Sequence, residues 1–257
     1  MTDAPVRDAA TVVLLRDGAT GIEAWLLTRI TDLAFAGGMT VFPGGRVDDA
    51  DADLPLAEVD LAALAARFGC DERLAHALLG AAVRETFEET GVLLTVPAAD
   101  LSAARADVER GLVPFGELLR ANNLVVDGGA LRPWSRWVTP AGEARRYDTR
   151  FFVGALPEAA VAEDVTTESS AASWLPVGVA IELAQRGEHE LLPPTAATLA
   201  SLREFGTVAE VLAASDARPL EPVRPELRIG ADGSVAVELP DGTLVPIPER
   251  MIARARR

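Results

Sequence analysis

The sequence is poor in the residues that form disulfides and soft metal sites. Cys70 is the only cysteine, so neither an intrachain disulfide nor an all-cysteine metal site can form. A single cysteine is typical of a protein from a reducing compartment. The two histidines, His76 and His189, are far apart in the chain and do not indicate a histidine metal site. We expect both to be surface or packing residues.

Long apolar runs are also missing. The sequence contains no stretch of roughly 18 uncharged apolar residues, the length that a transmembrane helix needs. Its first ten residues, MTDAPVRDAA, lack the apolar segment that secretory signal peptides carry. These two absences predict a cytoplasmic protein that has no membrane partner.

Basic residues are too few to offset the acidic ones. The 24 Lys and Arg residues stand against 39 Asp and Glu residues, which gives a formal net charge of -15. This charge opposes nonspecific binding to nucleic acid or to anionic lipid. A small polyanionic substrate would therefore need positive side chains close to its own site.

The sequence does have enough apolar residues for a core, with strands and helices that alternate. Of its 257 residues, 49% are hydrophobic. A glycine-containing turn at 17–21 separates two β-branched runs and predicts a hairpin. Apolar spacing predicts one helix at 56–68 and another from Asp71 to about Thr90, which Gly91 would cap. The other predicted elements are strands at 92–96, 134–139, 149–156 and 173–177, helices at 106–121 and 195–214, and a C-terminal hairpin around 230–233.

An acidic stripe near the end of the second helix is the main functional signal. Glu85, Glu88 and Glu89 are spaced i, i+3 and i+4, so their carboxylates converge on one side of the helix. The helix dipole disfavours negative charge at this end, and Arg84 alone cannot neutralise three acids. The stripe is either a solvated acidic face or the site of a divalent cation, since Mg²⁺ and Mn²⁺ prefer oxygen ligands.

Two leucines complicate this interpretation, because Leu74 and Leu78 would lie on the same side of a straight helix as the acids. Gly80 would have to bend the helix between the leucines and the acids. Otherwise the helix at 56–68 would have to cover the leucines and leave the acidic end open.

The acidic stripe resembles part of the sequence box of the Nudix hydrolases. That box reads Gly, five residues, Glu, seven residues, then Arg-Glu-hydrophobic-any-Glu-Glu-any-Gly-hydrophobic. Residues 84–92, RETFEETGV, match its second half, with Thr86 in place of the usual hydrophobic residue. FPGG at 42–45 resembles its beginning, with Gly45 as the opening glycine and Asp51 where the box has Glu.

The box is longer here than is usual in that family. Asp51 and Arg84 are 33 positions apart where the family ordinarily has 8, so about 25 residues are inserted. Such an interrupted box is similar to that of the peroxisomal coenzyme A diphosphatases and their bacterial relatives. The resemblance implies an α/β/α sandwich with a mixed sheet, in a domain at 1–215 with a helical insertion at about 52–80. It does not cover the tail at 216–257, whose hairpin would be an edge addition or a homodimer contact.

The resemblance also implies a reaction. Water would attack one phosphorus of a nucleoside diphosphate derivative, with Glu85 or Glu168 as general base and Arg84 orienting the glutamates. As a loop residue, Glu168 could equally be a solvated carboxylate. The implied ligands of the Mg²⁺ or Mn²⁺ ions are Glu85, Glu88, Glu89, Glu168 and the carbonyl of Gly45.

The candidate substrate contacts come from the residues around FPGG. Arg29 and Arg46 flank the expected cleft and could meet phosphate oxygens, and we include Phe42 with them. Trp134 and Trp137 offer stacking faces, although packing in the core is the more frequent role of tryptophan.

Coenzyme A is one of several candidate substrates. Coenzyme A diphosphatases carry a further motif ahead of FPGG, but Ala34 stands here where that motif has Arg. ADP-ribose, dinucleotides and nucleotide sugars stay open. The alternatives from other classes are a Nudix-fold sensor that binds a nucleotide without cleaving it and a protein-interaction module that uses the acidic helix. The complete set of three glutamates argues against the sensor.

Overall fold

The computed structural model describes residues 4–30, 37–141, 143–163, 166, 169–230, 235–239 and 242–247. Ala34 and Glu168 lie outside the described residues. Among the described residues the strands are, in chain order, β1 (Val6–Gly18), β2 (Gly21–Arg29), β3 (Thr40–Val41), β4 (Gly44–Arg46), β5 (Thr95–Val96), β6 (Val125–Val126), β7 (Leu131–Val138), β8 (Arg146–Ala155), β9 (Ser169–Pro176), β10 (Pro222–Val223), β11 (Glu226–Ile229), β12 (Val235–Glu238) and β13 (Leu244–Pro246). The α-helices are α1 (Leu61–Phe68), α2 (Glu72–Thr90), α3 (Arg105–Glu109), α4 (Phe115–Ala121), α5 (Val177–Gln185), α6 (Pro193–Leu202) and α7 (Val208–Ser215).

An eight-stranded mixed sheet forms the centre of the molecule. Its main path runs β10-β7-β8-β1-β2-β3, with β4 paired to β1 and β9 paired to β2. The pairs β1–β8 and β7–β10 are parallel, and the other pairs in this sheet are antiparallel. The long strand β1 pairs with β8 over ten residues and also meets both β2 and β4. Strand β1 therefore links the β1–β2 hairpin to β4, the strand that carries Gly45.

The two faces of the sheet bury separate hydrophobic cores. Side chains alternate along β1, so that Val12 and Leu14 belong to one core and Val13 and Leu15 to the other. Helices α1 to α4 cover the first core, and helices α5 to α7 cover the second. This arrangement is the α/β/α sandwich with a mixed sheet that the sequence predicts.

The helix that carries the acidic stripe has the predicted caps. α2 begins after Asp71, whose side chain accepts a hydrogen bond from the Leu74 N–H, and ends at Gly91, which has a φ of 75°. α2 is a single continuous helix. Leu78 is buried in the same core as Leu64 and other residues of α1, so α1 covers the leucine side as the second alternative required.

Gly80 serves a close contact within the inserted segment. A Cβ atom at Gly80 would lie only 2.4 Å from the carbonyl oxygen of Asp51, which belongs to a short 3-10 helix at Asp49–Asp53. The missing side chain lets the backbone of this short helix rest directly on α2. This contact fixes the start of the inserted segment, next to Asp51, against α2.

Several predicted elements differ from the observed ones. The helix expected at 106–121 is two helices, α3 and α4, because Gly111 has a φ of 69° and Pro114 restarts the chain. The helix expected at 195–214 is also divided, into α6 and α7, and the strand expected at 92–96 is only the two residues of β5. Helix α5 has no counterpart among the predicted elements, since its short apolar stretch follows the strand at 173–177 directly.

The tail forms strands as predicted and adds more. β11 and β12 pair as the expected antiparallel hairpin, and β13 extends them to a three-stranded sheet. β10 adds an edge strand to the central sheet next to β7. The domain boundary at residue 215 and the homodimer contact stay predictions. No helix among the described residues is both long and apolar enough to cross a membrane.

Candidate active site

The acidic stripe faces β4, and two glycines allow a very close approach. The Gly44 N–H donates a hydrogen bond of 2.8 Å to Glu89 Oε2. A Cβ atom at Gly45 would lie 2.5 Å from the carboxyl atoms of Glu85. At Gly44, with a φ of 155°, a Cβ atom would meet the Ala10 carbonyl at 2.5 Å. Only glycine at both positions brings backbone and carboxylates together here.

Arg84 connects the inserted box to the glutamates. Its guanidinium binds Asp51 in a bidentate pair, with distances of 2.8 Å from Nε to Oδ1 and 2.9 Å from Nη2 to Oδ2. The same group donates from Nη1 to Glu85 Oε1 at 2.7 Å and lies 3.5 Å from Glu88 Oε1. It also donates to the Arg46 carbonyl at 3.0 Å. The predicted orienting role of Arg84 has a direct geometric basis in these bonds.

Asp51 is the residue whose role sequence reasoning missed. It is 1% exposed, pairs with Arg84 and accepts the Asp48 N–H at 2.8 Å. The available signal was its position in the box after Gly45, where the Nudix pattern has Glu. Because aspartate carries a carboxylate as glutamate does, it forms a bidentate ion pair with Arg84 from this position.

Burial changes the proton affinity of the acids. Loss of solvation raises the pKa of Glu85, although the charge of Arg84 opposes that shift. Burial, opposed by Arg84 and assisted by the charge of Glu85, raises the pKa of Glu88 to about 7. Burial also lowers the pKa of Arg84, but its hydrogen bond to Asp51 and the neighbouring glutamates outweigh this effect and raise it. One guanidinium therefore does not fully compensate the buried carboxylates.

The donor set fits a hard divalent cation in chemistry, while the side chains are turned toward arginines. Among the described residues, no three acids, histidines or cysteines are already gathered as a ligand cluster. Glu85 and Glu88 point to Arg84, and Glu89 Oε1 lies 3.8 Å from Arg29 Nη1. Oxygen donors, burial and uncompensated charge nevertheless agree with the preferences of Mg²⁺ and Mn²⁺. The ligand set, including the Gly45 carbonyl, stays a prediction.

The candidate substrate contacts have different surroundings. Arg29, at the end of β2, faces Glu89 and is mostly buried. Arg46 is half exposed, and its Nη2 lies 2.5 Å from Asp48 Oδ1. Phe42 is 3% exposed and packs in the core on the opposite face of the sheet from the glutamates. The structure thus assigns Phe42 to packing, a correction to its inclusion among the substrate contacts.

The aromatic and histidine side chains take packing positions. Trp134 and Trp137 are 1% and 6% exposed and belong to the second core. His76 Nε2 lies 2.9 Å from the Leu54 carbonyl, and His189 Nδ1 lies 3.4 Å from the Thr40 hydroxyl. Both tryptophans and both histidines are therefore accounted for without a ligand.

Comparison with known proteins agrees with this fold and this box. The sequence model of the NUDT19 Nudix domain family matches residues 70–202, about half of the chain. A crystal structure of a Nudix hydrolase from Alicyclobacillus acidocaldarius is 30% identical, with a TM-score of 0.69. The similarity covers 82% of this chain and 96% of that one. The chain belongs to the Nudix hydrolase family.

Two further relatives place this Nudix hydrolase near one branch of the family. The acyl-coenzyme A diphosphatase NUDT19 of Gallus gallus is 31% identical, and the match covers 93% of this chain and 80% of that protein. A protein of Caenorhabditis elegans named as a nudix hydrolase is 29% identical over 77% of this chain. The chain spans 61% of the length of the nematode protein. The predicted resemblance to the interrupted-box branch is confirmed.

Proposed function

We propose that this Nudix hydrolase cleaves the diphosphate bond of a nucleoside diphosphate derivative with the help of Mg²⁺ or Mn²⁺. The observation that carries the proposal is the contact between the acidic end of α2 and the glycine backbone of β4. Glu85 and Glu88 face Arg84 there and Glu89 faces Arg29, in an environment that raises the pKa of Glu85 and of Glu88. A divalent cation is the partner that would remove this electrostatic cost.

The proposed site residues would have distinct parts in the reaction. Glu85, Glu88 and Glu89 would hold the cation together with the Gly45 carbonyl, and Arg84, anchored on Asp51, would keep Glu85 oriented. When bound, the cation would neutralise charge on the diphosphate and favour ionisation of the attacking water. A carboxylate would accept the proton of that water, and Glu85 and Glu168 are the two candidates. The products would be two monophosphates.

We also propose a coenzyme A derivative as the substrate class. The support is the name of the relative from Gallus gallus, an acyl-coenzyme A diphosphatase, and its match over most of both chains. Arg29 and Arg46 flank the acidic end of α2 and would contact phosphate oxygens. ADP-ribose, dinucleotides and nucleotide sugars share the same scissile bond, so they belong in the same screen.

The test is turnover by the Glu89→Gln variant. We expect its metal-dependent diphosphate hydrolysis to fall by at least about two orders of magnitude, because an amide removes one charge that would hold the cation. Glu72→Gln is the matched control, since Glu72 is an exposed acid at the other end of the same helix. Activity is measured as release of the nucleoside monophosphate product from coenzyme A, ADP-ribose, NADH and sugar nucleotides, or as the phosphate that an added phosphatase liberates from the products.

The results separate this proposal from its alternatives. Full turnover in Glu89→Gln would remove the proposed function. A nucleotide sensor would instead bind the same compounds without release of products. An interaction module would bind a basic partner equally well after divalent ions are chelated.

A further inference from the structure

The C-terminal end of α2 carries a concentration of negative charge that the helix does not offset itself. The last turn of α2 contains no basic residue, although it holds two of the three glutamates. Its carbonyl oxygens add the negative end of the helix dipole. The Gly91 N–H donates to the Phe87 carbonyl, and the Glu163 N–H donates to the Thr90 carbonyl. The Glu88 carbonyl is left to another partner.

That partner is Arg105, which comes from outside the Nudix box. Arg105 is the first residue of α3 and is 8% exposed. Its Nη1 donates to the Glu88 carbonyl at 2.7 Å and to Glu109 Oε2 at 2.8 Å. One buried guanidinium nitrogen thus joins the backbone of a proposed metal-binding residue to a carboxylate on α3.

The connection continues to the segment between β8 and β9. Glu109 Oε1 accepts a hydrogen bond of 3.0 Å from the Thr166 hydroxyl. The Glu163 N–H, three residues earlier, binds the Thr90 carbonyl at 2.9 Å. Hydrogen bonds therefore tie the end of α2, helix α3 and the β8–β9 segment together in a mostly buried place, and the bonds made by Arg105 and Glu109 are charge-assisted and strong there.

We propose that Arg105 is a positioning residue for the active site. It fixes the backbone of Glu88 and supplies the positive charge that the last turn of α2 lacks. The inference rests on the proposed function, since it assumes that Glu88 holds the cation. A shift of about 1 Å in a reacting group can reduce turnover by about two orders of magnitude, so a partial shift of Glu88 is expected to cost roughly tenfold.

The experiment compares three variants of the full chain. Arg105→Met removes both hydrogen bonds and the charge but keeps most of the apolar stem. Arg105→Lys keeps a cation and N–H donors at this position. Arg110→Met is the matched control, because Arg110 is an exposed arginine five residues on that pairs with Asp107 of α3. We measure kcat and KM, the Kd for Mn²⁺ by calorimetry without substrate, and the melting temperature in EDTA.

We expect Arg105→Met to lower kcat by roughly tenfold or more and to weaken Mn²⁺ binding by about fivefold, with KM within about threefold of the original. Arg105→Lys should recover most of both losses, and Arg110→Met should match the unmodified protein. If Arg105→Met does not fold, Arg105→Gln takes its place in the same comparison.

Two results would overturn the inference. One is an Arg105→Met protein that binds Mn²⁺ and turns over as Arg110→Met does. The other is an equal loss in the Met and Lys variants with a parallel fall of the melting temperature in EDTA, which would indicate general packing. Failure of the proposed function looks different, because then the unmodified protein would show no metal-dependent cleavage while the Mn²⁺ titration could still rank the variants.

Discussion

Gly45→Ala adds a single methyl group at the point where β4 touches the acidic helix. Gly45 pairs with Ala10 of β1 and lies outside the left-handed φ region, so alanine fits its backbone conformation. The new Cβ would lie 2.5 Å from the carboxyl carbon and both oxygens of Glu85. The first effect of the substitution is therefore on the position of one carboxylate.

The size of the effect follows from the distances. Ordinary van der Waals contact begins at 3.4 Å, so the Glu85 carboxylate has to retreat by about 0.9 Å. Its present place is fixed by the 2.7 Å bond to Arg84, and that bond would lengthen or turn. Because a displacement of about 1 Å can cost about two orders of magnitude in rate, we expect kcat/KM to fall by about 10²-fold. The free energy of unfolding should fall by only about 1–3 kcal/mol, the usual cost of an added methyl group.

The assay is metal-dependent hydrolysis of the best substrate from the screen, together with urea unfolding. Gly178→Ala is the control, since Gly178 lies in α5 and a methyl group added there would meet open space. It should leave activity unchanged and stabilise the protein by up to about 1 kcal/mol. Unchanged kcat/KM in Gly45→Ala would refute the claim that the close approach of β4 sets the position of Glu85.

Two more predictions concern stability. Gly80→Ala would place a Cβ atom 2.4 Å from the Asp51 carbonyl. The free energy of unfolding in urea should therefore be lower by about 1–3 kcal/mol or more than that of Gly178→Ala. Equal stability of the two variants would contradict the packing described for the insertion. The pKa of Glu88 is raised in the folded protein from its ordinary value of 4.5 to about 7. In EDTA, and at a pH between these two values, Glu88 therefore holds a proton in the folded protein but has lost it in the unfolded chain. The melting temperature should therefore fall as the pH rises through this window, less so in Glu88→Gln, and added Mn²⁺ should reverse the fall; the same slope in both proteins would contradict the shift.

The parts of this fold that the sequence predicts well are those with local causes. Asp71 and Gly91 mark the ends of α2 because capping depends on residues within one turn of the helix end. The i, i+3, i+4 spacing places Glu85, Glu88 and Glu89 on one side for the same reason. Helix α5 escapes prediction because it begins directly after Pro176, the last residue of β9, so that no separate loop divides the strand from the helix.

The parts that the sequence does not show depend on contacts across long separations. Nothing local indicates that Arg105 binds the Glu88 carbonyl, since the two residues lie 17 positions apart and in different helices. The burial of Phe42 likewise depends on which side of the sheet receives its ring. Its neighbours in FPGG lie against the acidic helix, so proximity in sequence suggests a substrate contact. The chain bends at Pro43, between Phe42 and β4, and the ring of Phe42 packs in the second core while Gly44 and Gly45 meet the acidic helix.

The interrupted box raises the question of how Asp51 and Arg84 meet across 33 positions. Closing a longer loop costs little additional entropy, because that cost grows only with the logarithm of loop length. The inserted residues offset this entropic cost because they form α1 and the first half of α2, which bury Phe68 and Leu78 in the first core. Gly80 then lets the Asp51 backbone rest on α2, one helical turn before Arg84. The bidentate pair at 2.8 and 2.9 Å is thus placed by contacts within the insertion itself, so Asp51 reaches Arg84 although the motif is divided.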